Sequence, residues 1–520
     1  MMLKELLKDC PYVSTTAEEH GNTLWQRDIK GIAYDSRRLE EGFLFVAVEG
    51  EKTDGHRFIH DAIEKGAAAV VHEKETAKPE THHPELKETS GIPFIRVKNS
   101  RKTLACIANN FYERPSENMT LVGITGTNGK TTTSYLLRSI LEDWGKTVGL
   151  IGTIQYMIKD RIFPAAHTTP ESLEFQSLLK DMLVAGCDCV VAEVSSHALA
   201  QYRVDDAVFR TAVFTNLTRD HLDYHKTMEN YFSAKERLFT GLLDREGTAV
   251  INLDDRYGWS LNMDLRVGGA EPRKIITYGL ETQADLRAQN VVGSFDGLRV
   301  TLDWRGKNYG VSSPLTGKPN VYNILAAAGA AVSLGVPWDN IVSGIEKLSH
   351  IRGRFEKVDK GQGFLCIIDY AHTEDALERL IRTARELLDQ QSTAGSNKST
   401  GGRIITVFGC GGDRDRGKRP NMGRIAAELS DFVIITSDNP RSEEPEAIIR
   451  DIEAGAKRGS YIIEADRREA ITKAVLMARD GDIVLVAGKG HEDYQEIKGV
   501  RRHFSDREIV EETLKDLRRR

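Results

Sequence analysis

The sequence has few cysteines, no long apolar run and no excess of basic charge, and each shortage argues against a class of protein. Six cysteines among 520 residues show no framework spacing, which disfavours a disulfide-stapled secreted domain. No stretch approaches the ~18 consecutive apolar residues of a membrane-spanning helix, and the opening residues MMLKELLKDCPYV lack the uninterrupted apolar core of a signal peptide. The formal net charge of -6 disfavours a broad nucleic-acid-binding face. We therefore expect a soluble, cytoplasmic protein that neither spans a membrane nor binds nucleic acid.

The length of the chain and its polar joints predict three domains. A chain of 520 residues is too long for a single hydrophobic core. Two segments have the polar composition of a joint, 113–118 (ERPSEN) and 349–353 (SHIRG). We therefore expect domains at residues 1–112, 113–348 and 349–520.

Short β-branched runs alternate with helical patterns in the last two thirds of the chain, which is typical of parallel sheets with crossover helices. The middle third contains LVGITG, CVVAEVSS, TAVFTNL and TAVINLDD, and the last third contains RIITVFG, DFVIITSDNP and DIVLVAGKG. The expected fold class is therefore α/β, with two such sheets. Because ligands collect beyond the carboxyl ends of the strands in these sheets, we expect an active site in a cleft between the two.

A phosphate-binding loop is predicted after the first of these strands. Residues 126–132 read Gly-Thr-Asn-Gly-Lys-Thr-Thr, after a strand that ends at Thr125 and before a helical pattern. The glycines let backbone N–H groups face phosphates, Lys130 supplies a positive charge and Thr131 offers a hydroxyl to Mg²⁺. The full pattern has a further glycine where this chain has Ile124. The strand, loop and helix in sequence favour a variant phosphate loop over a glycine-rich turn with an incidental lysine.

Candidate metal ligands follow the next two strands. Glu193 ends one strand and offers the hard carboxylate oxygen that Mg²⁺ prefers. His221 and His225 have H-x-x-x-H spacing, but the glutamate of a zinc-protease helix is missing, so we reject zinc in favour of structural capping or one Mg²⁺-facing histidine. Lys235 lies in an amphipathic helical pattern and, from the residues alone, is predicted on its exposed charged face.

Nine motifs together resemble the Mur ligases. They are TGTNGKTT, HTTPE, EVSSHAL, TNLTRDHLDYH, YFSAKERLF, NVYNILAAAGAA, GRFE, DYAHTEDAL and GCGGDRDRGKRPNMG, and their order and spacing match the family over nearly the whole chain. Within the family the chain is most similar to the MurE branch, the UDP-N-acetylmuramoyl-alanyl-glutamate ligases. The resemblance implies a uridine-nucleotide-binding first domain, a central phosphate-loop ATPase domain with a parallel sheet, and a Rossmann-like C-terminal domain. Glu374 stands where a proline is commoner, a change that we expect to leave Asp369 in place.

The resemblance implies a binding site for a UDP-linked muramoyl dipeptide. Ser36, in the motif Asp-Ser-Arg at 35–37, matches a UDP contact, and Tyr34 precedes it. Uracil-side contacts would fall near residues 51–53, whose residue types vary in the family. The positions that match muramoyl-peptide contacts are Thr168, Thr169, Ser195, Gln201 and Arg203.

The resemblance also implies ATP and two Mg²⁺ ions as cofactors. Lys235 matches a lysine that the family carries as a carbamate, N6-carboxylysine, which turns an ammonium into an oxygen ligand; this reverses the prediction from the residues alone. Lys235 and His221 would hold one ion, and Thr131 and Glu193 the other. The expected ATP contacts are Gly126, Thr127, Asn128, Gly129, Lys130, Thr131 and Thr132 in the loop, Asn323 at adenine, and Arg354 and Asp369 near the ribose or phosphates.

The implied mechanism is phosphoryl transfer from ATP to the free carboxylate of the substrate's glutamate, followed by attack of an amine and loss of phosphate. Lys130, Lys235 and His221 are the residues that the resemblance makes catalytic. Charge neutralisation by Lys130 and two Mg²⁺ ions would supply most of the rate enhancement, because this chemistry depends on positioning and electrostatics.

The identity of the amine depends on residues 438–441, Asp-Asn-Pro-Arg. In isolation these residues indicate a turn with a surface arginine. Diaminopimelate differs from lysine by a carboxylate at its far end, and an arginine is the natural bidentate partner of a carboxylate. The motif resembles that of diaminopimelate-adding members, whereas lysine-adding members lack the arginine. The implied diaminopimelate contacts are Arg414, Asp438, Asn439, Pro440, Arg441, Gly488 and Glu492, the last as acceptor of the distal ammonium.

Three alternatives remain open at this point. A lysine-adding Mur ligase differs only in the amine. Folylpolyglutamate synthetase shares the central fold but lacks the uridine-binding first domain. A phosphate-loop protein that hydrolyses ATP without ligation is compatible with the loop, but it has no need for Glu193, His221 and Lys235 together.

Overall fold

The computed structural model describes residues 1–15, 24–50, 53–74, 91–267, 274–393, 402–457 and 459–518. The chain divides into two compact units, which we call unit 1 and unit 2. Unit 1 comprises Met1–Thr125, Lys146–Ala212 and Ser233–Thr248. Unit 2 comprises Gly126–Gly145, Val213–Phe232 and Ala249–Arg520. The expected boundaries after residues 112 and 348 fall inside these units and stay a prediction.

A five-stranded sheet organises the first hundred residues of unit 1. Its strands are β1 (Ser14–Thr15), β2 (Gly31–Ala33), β3 (Phe43–Val46), β4 (Ala69–His72) and β5 (Phe94–Arg96), in the order β1-β5-β4-β3-β2. All neighbours are parallel except β1 and β5. The accompanying helices are α1 (Leu3–Leu6), α2 (Ile59–Glu64) and α3 (Ser100–Phe111). The apolar run of β3 is buried on both faces of the sheet, which is the pattern expected of a covered parallel strand.

A disulfide joins Cys10 to Cys106, with their Cα atoms 5.7 Å apart. The bond differs from the expectation that the cysteines form no disulfide framework. The two residues are 96 positions apart in the sequence, so local spacing does not reveal the pair. The other four cysteines are buried thiols.

The second sheet of unit 1 contains the first strands predicted in the middle third. The strands are β6 (Thr120–Thr125), β7 (Val148–Ile151), β8 (Gln155–Ile158), β9 (Arg161–Pro164) and β10 (Cys189–Glu193). β10 lies between β6 and β7 and is parallel to both, whereas β8 and β9 continue the sheet as antiparallel strands. Helices α5 (Ser172–Val184) and α6 (Ser196–Ala200) flank β10 in sequence, after α4 (Lys130–Asp143) of unit 2. The other two predicted runs form β11 (Phe209–Phe214) and β12 (Leu243–Asn252), which have residues in both units.

Unit 2 contains the helix after the phosphate loop and four further strands, β13 (Lys274–Gly279), β14 (Leu286–Ser294), β15 (Gly297–Trp304) and β16 (Lys307–Ser313). β13 pairs with β14 in parallel, whereas β15 is antiparallel to both β14 and β16. The helices of this region are α7 (Leu222–His225), α8 (Met228–Arg237), α9 (Arg256–Val267), α10 (Lys318–Ser333) and α11 (Trp338–Lys347). Helix α8 begins in unit 2 and ends in unit 1.

A six-stranded sheet organises the rest of unit 2. Its strands are β17 (Glu356–Val358), β18 (Leu365–Asp369), β19 (Ile404–Phe408), β20 (Phe432–Ile435), β21 (Tyr461–Ile463) and β22 (Ile483–Ala487), in the order β17-β18-β22-β19-β20-β21. Only β17 is antiparallel to its neighbour. The helices are α12 (Glu374–Thr393), α13 (Lys418–Leu429), α14 (Pro445–Glu453), α15 (Arg467–Met477) and α16 (Asp506–Leu517), with a hairpin of β23 (Tyr494–Ile497) and β24 (Val500–His503).

Helices cover both faces of this last sheet, so every residue of its central strands β19 and β22 is buried. Ile405 and Val407 pack into one core cluster and Ile404 and Phe408 into the other. The predicted runs of the last third are confirmed as β19, β20 and β22. Their carboxyl ends lie at one edge of the sheet because they are parallel. No helix in the described part of the chain is long and apolar enough to cross a bilayer.

Candidate active site

The loop at 126–132 needs glycine at two positions. Gly126 and Gly129 have φ of +148° and +89°. A Cβ at Gly126 would lie 1.9 Å from Thr215 Oγ1, and one at Gly129 would lie 2.4 Å from Asn323 Oδ1. The loop is therefore shaped by close packing as well as by backbone conformation, as the sequence pattern predicts.

Lys130 lies at the start of α4 and its side chain turns back over the loop. Its Nζ donates to the carbonyl oxygens of Gly126 (2.8 Å) and Thr127 (2.9 Å). The N–H groups at the start of α4 and the lysine charge are thus close together, the arrangement that favours phosphate binding. Thr131 is buried, and its Oγ1 accepts a hydrogen bond from Arg354 Nη2 at 3.2 Å.

The structure brings three expected ATP-site residues of unit 2 towards this loop. Asn323 is buried on α10 beneath Gly129, and its Nδ2 donates to Asn320 Oδ1 at 3.0 Å. The Arg354 guanidinium lies 4.7 Å from the centre of the Tyr370 ring. Asp369 Oδ2 accepts from the Phe355 backbone N–H at 2.6 Å. Burial raises the pKa of the Asp369 carboxyl, and the positive charge of Arg354 opposes that rise.

A further contact of the loop was not predicted from the sequence. Asn128 Nδ2 donates to Asp375 Oδ2 at 2.7 Å, and Thr218 Oγ1 donates to the same oxygen at 3.1 Å. Asp375 lies in the first turn of α12, within the motif DYAHTEDAL. The motif contains Asp375 as well as Asp369, but only Asp369 was predicted as a site residue.

Glu193 in unit 1 is buried within a group of oxygen atoms. Its carboxylate accepts from Thr153 N (3.0 Å) and Thr153 Oγ1 (2.8 Å), and Thr153 Oγ1 lies 3.1 Å from Thr168 Oγ1. A Cβ at Gly152 would lie 2.4 Å from Glu193 Oε1, so glycine leaves room for the carboxylate. An oxygen-rich donor set of this kind fits a hard cation such as Mg²⁺. Nothing in the sequence pattern pointed to Thr153.

Lys235 is buried, with 1% of its surface exposed. The prediction from helical periodicity alone, an exposed lysine on a charged face, is therefore wrong. A buried ammonium is costly unless it is paired or chemically changed. The carbamate that the resemblance implies for this residue stays a prediction.

His221 is half-exposed at a positive φ of +53° and its Nε2 lies 3.3 Å from Asp220 Oδ2. Burial raises the pKa of the Asp220 carboxyl, but the charges of His221, His372 and Lys418 outweigh it, so that the pKa is lowered overall. His225 is buried and stacks on Tyr231, with ring centres 5.0 Å apart. The rejection of a zinc pair stays a prediction.

The predicted muramoyl-peptide contacts of unit 1 converge on Thr169. Its Oγ1 accepts from Ser195 N (3.0 Å), and its carbonyl accepts from Arg203 Nη1 (3.0 Å). Gln201 Oε1 accepts from Arg203 Nη2 at 2.7 Å. Arg203 also forms an ion pair with Glu171 at 2.8 Å, a carboxylate that the sequence analysis left out of the site although the motif HTTPE contains it.

The predicted UDP contacts Tyr34 and Ser36 lie in unit 1 beside the first sheet. Tyr34 OH donates to Glu174 Oε1 at 2.9 Å, and burial raises the pKa of the phenol. Ser36 is buried, and its carbonyl accepts from Lys65 Nζ at 2.7 Å. Glu51 and Lys52, of the expected uracil side, lie outside the described residues.

The predicted amino-acid contacts of unit 2 surround the carboxyl ends of β20 and β22. Arg441 has φ of +52°, and its Nη1 donates to the Gly412 carbonyl at 2.7 Å. Asn439 Nδ2 donates to Glu492 Oε2 at 2.8 Å. Gly488 has φ of +115°, and a Cβ there would lie 2.7 Å from Asp438 Oδ2. Pro440 lies within the same turn, and Arg414 is exposed next to the Gly412 loop.

Arg419 connects two loops of this site, and it was not predicted from the sequence. It is fully buried, and its guanidinium donates to Glu443 Oε1 (2.8 Å) and Asp451 Oδ2 (2.9 Å). Glu443 Oε1 also accepts from Asp413 N at 2.7 Å. Hydrogen bonding from Arg419 is the main reason that the pKa of Glu443 is lowered to about 2. The buried ion pair of Arg419 and Glu443 therefore connects the loop before Arg414 to the loop after Arg441.

Comparison with known proteins decides the family. The profile of the Mur ligase family catalytic domain matches residues 28–112, that of the Mur ligase middle domain 124–331, and that of the Mur ligase glutamate ligase domain 353–490. A relative from Solibacter usitatus is 46% identical over 99% of this chain and 98% of its own. The chain belongs to the Mur ligase family. The prediction of a Mur ligase fold, α/β with three domains, is confirmed, as is that of an ATP-dependent ligase.

Two relatives and one solved structure share one activity in their names. The relatives from Solibacter usitatus and from Clostridium tetani, the latter 44% identical over 99% of this chain and 100% of its own, are both named UDP-N-acetylmuramoyl-L-alanyl-D-glutamate--2,6-diaminopimelate ligase. A solved structure with the same name is 34% identical, with a TM-score of 0.67 over 98% of this chain and 100% of its own.

Proposed function

We propose that this Mur ligase adds meso-diaminopimelate to UDP-N-acetylmuramoyl-L-alanyl-D-glutamate in the synthesis of peptidoglycan precursors. The observation that supports this most strongly is the 46% identity, over 99% of the chain, to a relative named for that activity. Because the reaction consumes ATP and a UDP-linked precursor, we also propose that it takes place in the cytoplasm.

We assign one substrate to each of three proposed domains. Residues 1–112 bind the UDP end of the acceptor through Tyr34 and Ser36. Residues 113–348 bind ATP through the phosphate loop, and residues 349–520 bind the amino acid and contribute Arg354 and Asp369 to the ATP site. The hydrogen bond of Arg203 to Thr169 and the ion pair of Arg419 with Glu443 support these sites in the second and third regions, because binding sites need side chains that are held in one conformation.

The first chemical step forms an acyl phosphate. An oxygen of the acceptor's glutamate carboxylate attacks the γ-phosphorus of ATP, and the bond to the bridging oxygen breaks to release ADP. Lys130 and the N–H groups at the start of α4 bind the phosphates and stabilise the charge on the transferring group. Thr131, Glu193, His221 and a carbamylated Lys235 are the residues that we propose as Mg²⁺ ligands, and Mg²⁺ would supply further neutralisation of phosphate charge.

The second step forms the amide. The amine of diaminopimelate attacks the acyl carbon, the resulting tetrahedral intermediate loses phosphate, and the amine nitrogen loses a proton. In this step the protein acts by holding the amine in line with the acyl carbon. Arg441 binds the distal carboxylate and Glu492 binds the distal ammonium, so that the far end of the diamino acid fixes the position of its reactive end.

Arg441 supports diaminopimelate over lysine. Lysine has no distal carboxylate, so it would leave a guanidinium without its anionic partner in the complex. A lysine-adding enzyme remains the second candidate, because Glu492 would receive the distal ammonium of either amino acid.

A ligation assay with the UDP-linked dipeptide, ATP and a panel of diamino acids tests the proposal. We expect amide product and phosphate release that depend on diaminopimelate. Equal or better ligation of lysine would reject the proposed amine. Phosphate release that is unchanged when the amino acid is withheld would reject ligation altogether and indicate a hydrolase.

A further inference from the structure

Lys489 is a fully buried cation in contact with two of the predicted amino-acid-binding residues. It follows β22 and is 0% exposed. Its Nζ donates to Asn439 Oδ1 at 3.1 Å and to Glu492 Oε2 at 3.3 Å. Asn439 in turn donates from Nδ2 to the same Glu492 oxygen at 2.8 Å. The three side chains form a closed triangle that we call the Lys489 triad: Asn439, Lys489 and Glu492.

A second buried carboxylate, that of Asp438, acts electrostatically on Glu492 of the triad. Arg467 is also near, but its guanidinium is committed to a buried ion pair with Asp506 at 2.7 Å. Lys489 is therefore one cation beside two carboxylates, so the side chains of Lys489, Glu492 and Asp438 together carry one net negative charge. That balance suits a ligand group with one positive charge, such as an ammonium.

Several groups from different elements face Glu492 and set its ionisation. Burial raises the pKa of its carboxyl, the charge of Lys489 lowers it, and Asp438 raises it. Tyr370, Tyr494 and Arg467 also interact electrostatically with Glu492. The charge of Lys489 opposes the rise in the pKa of Glu492 that burial causes, so removal of Lys489 should raise that pKa further.

We propose that Lys489 is a positioning residue that, together with Asn439, holds the Glu492 carboxylate in place as the receptor for the distal ammonium of the amino-acid substrate. The inference rests on the proposed function, because it requires a diamino acid at this site. Lys489 acts through Glu492 and does not need to touch the substrate.

Hydrogen bonds that do not involve Lys489 also hold the loops around the triad in place. Glu496 N donates to Asn439 Oδ1 at 3.0 Å, and Gln495 Nε2 donates to the Asp438 carbonyl at 2.8 Å. The Lys489 stem packs near Tyr494, with Nζ 5.4 Å from the ring centre. Methionine has a similar length and no charge, so Lys489→Met keeps the packing and removes the cation.

The test compares Lys489→Met with wild type in steady-state ligation over pH 6–9. We expect the KM for diaminopimelate to rise roughly tenfold near neutral pH, while the KM for ATP stays unchanged. The acid limb of kcat/KM for diaminopimelate should move to higher pH by about one unit, because Glu492 without Lys489 is protonated at higher pH. An unshifted limb with an unchanged KM would overturn the proposal. Lys515→Met, at an exposed position of α16, is the matched control.

If Lys489→Met weakens folding, a double-mutant cycle with Glu492→Gln still tests the proposal. Glu492→Gln removes the charge and retains the shape of the side chain. If Lys489 acts through Glu492, adding Lys489→Met to Glu492→Gln should change the KM for diaminopimelate less than twofold. Fully additive effects would overturn the proposal. Wild-type enzyme that fails to ligate diaminopimelate would instead reject the proposed function, so the two failures are distinguishable.

Discussion

Asn128 in the phosphate loop donates a hydrogen bond to Asp375 in the first turn of α12, at 2.7 Å. The same carboxylate accepts from Thr218 and forms an ion pair with Arg379 on its own helix. Asp375 thus links the Asn128 side chain of the phosphate loop to Thr218, which follows β11, and it does so from α12.

Replacing Asp375 with alanine should weaken ATP binding. The loss of the Asn128 hydrogen bond frees the loop, and we expect the KM for ATP to rise about fivefold, as for the loss of one hydrogen bond. The KM for diaminopimelate should stay unchanged. Glu378→Ala is the matched control, because Glu378 pairs only along α12 with Arg382. Equal effects of the two substitutions would contradict the role of Asp375.

Lys235→Ala should abolish ligation. The lysine is buried, and a carbamate on it would supply an oxygen ligand that alanine lacks. We expect partial rescue when short carboxylates such as acetate or formate are added, because a small anion can occupy the place of the carbamate. Lys307→Ala, at an exposed position of β16, should keep full activity. Full activity of the Lys235 variant without added anion would refute the role.

Arg441→Ala should raise the KM for diaminopimelate and reduce the preference over lysine. The distal carboxylate loses a bidentate partner, which costs about 2 kcal/mol or more where the pair is desolvated. Arg441→Lys should recover only part of the loss, because an ammonium cannot form the two parallel bonds of a guanidinium. A KM that is unchanged for diaminopimelate in the alanine variant would remove the reason to assign this arginine to the amine. Arg502→Ala, at an exposed position of β24, is the control.

Much of the fold was predictable because strand runs are local. The runs at β6, β10, β19, β20 and β22 are buried on both faces, and such strands read directly as apolar stretches. The phosphate loop was predictable for a similar reason, since its glycines and lysine are consecutive in the sequence.

The remaining site residues depend on contacts that are distant in sequence. Lys235 has the periodicity of an exposed helix face, yet the structure buries it. Lys489 follows an ordinary strand, and its importance comes from Asn439, 50 positions away. Burial of a single charge is decided by which elements pack over it, and helical or strand periodicity contains no information about that.

The ion pair of Arg419 and Glu443 should make stability depend on pH in the acid range. The pKa of Glu443 is lowered from 4.5 to about 2 in the folded protein. A carboxyl with a lower pKa in the folded than in the unfolded state stabilises the fold fully above its unfolded pKa, and this stabilisation is lost as pH falls towards the folded pKa. We therefore expect Glu443→Gln to lower the free energy of unfolding by roughly 1–2 kcal/mol at pH 7, after allowance for solvent screening.

The difference between Glu443→Gln and wild type should shrink as pH falls from about 5 towards 2. Denaturant unfolding at a series of pH values measures it, and Glu428→Gln is the control because Glu428 is exposed and pairs only along α13 with Arg424. A difference that stays constant over this range would mean that Glu443 stabilises the loops by packing and not by its charge. A matching rise in the KM for diaminopimelate at pH 7 would link the ion pair to the amino-acid site, because Asp413 and Glu443 connect the two loops that position Arg414 and Arg441.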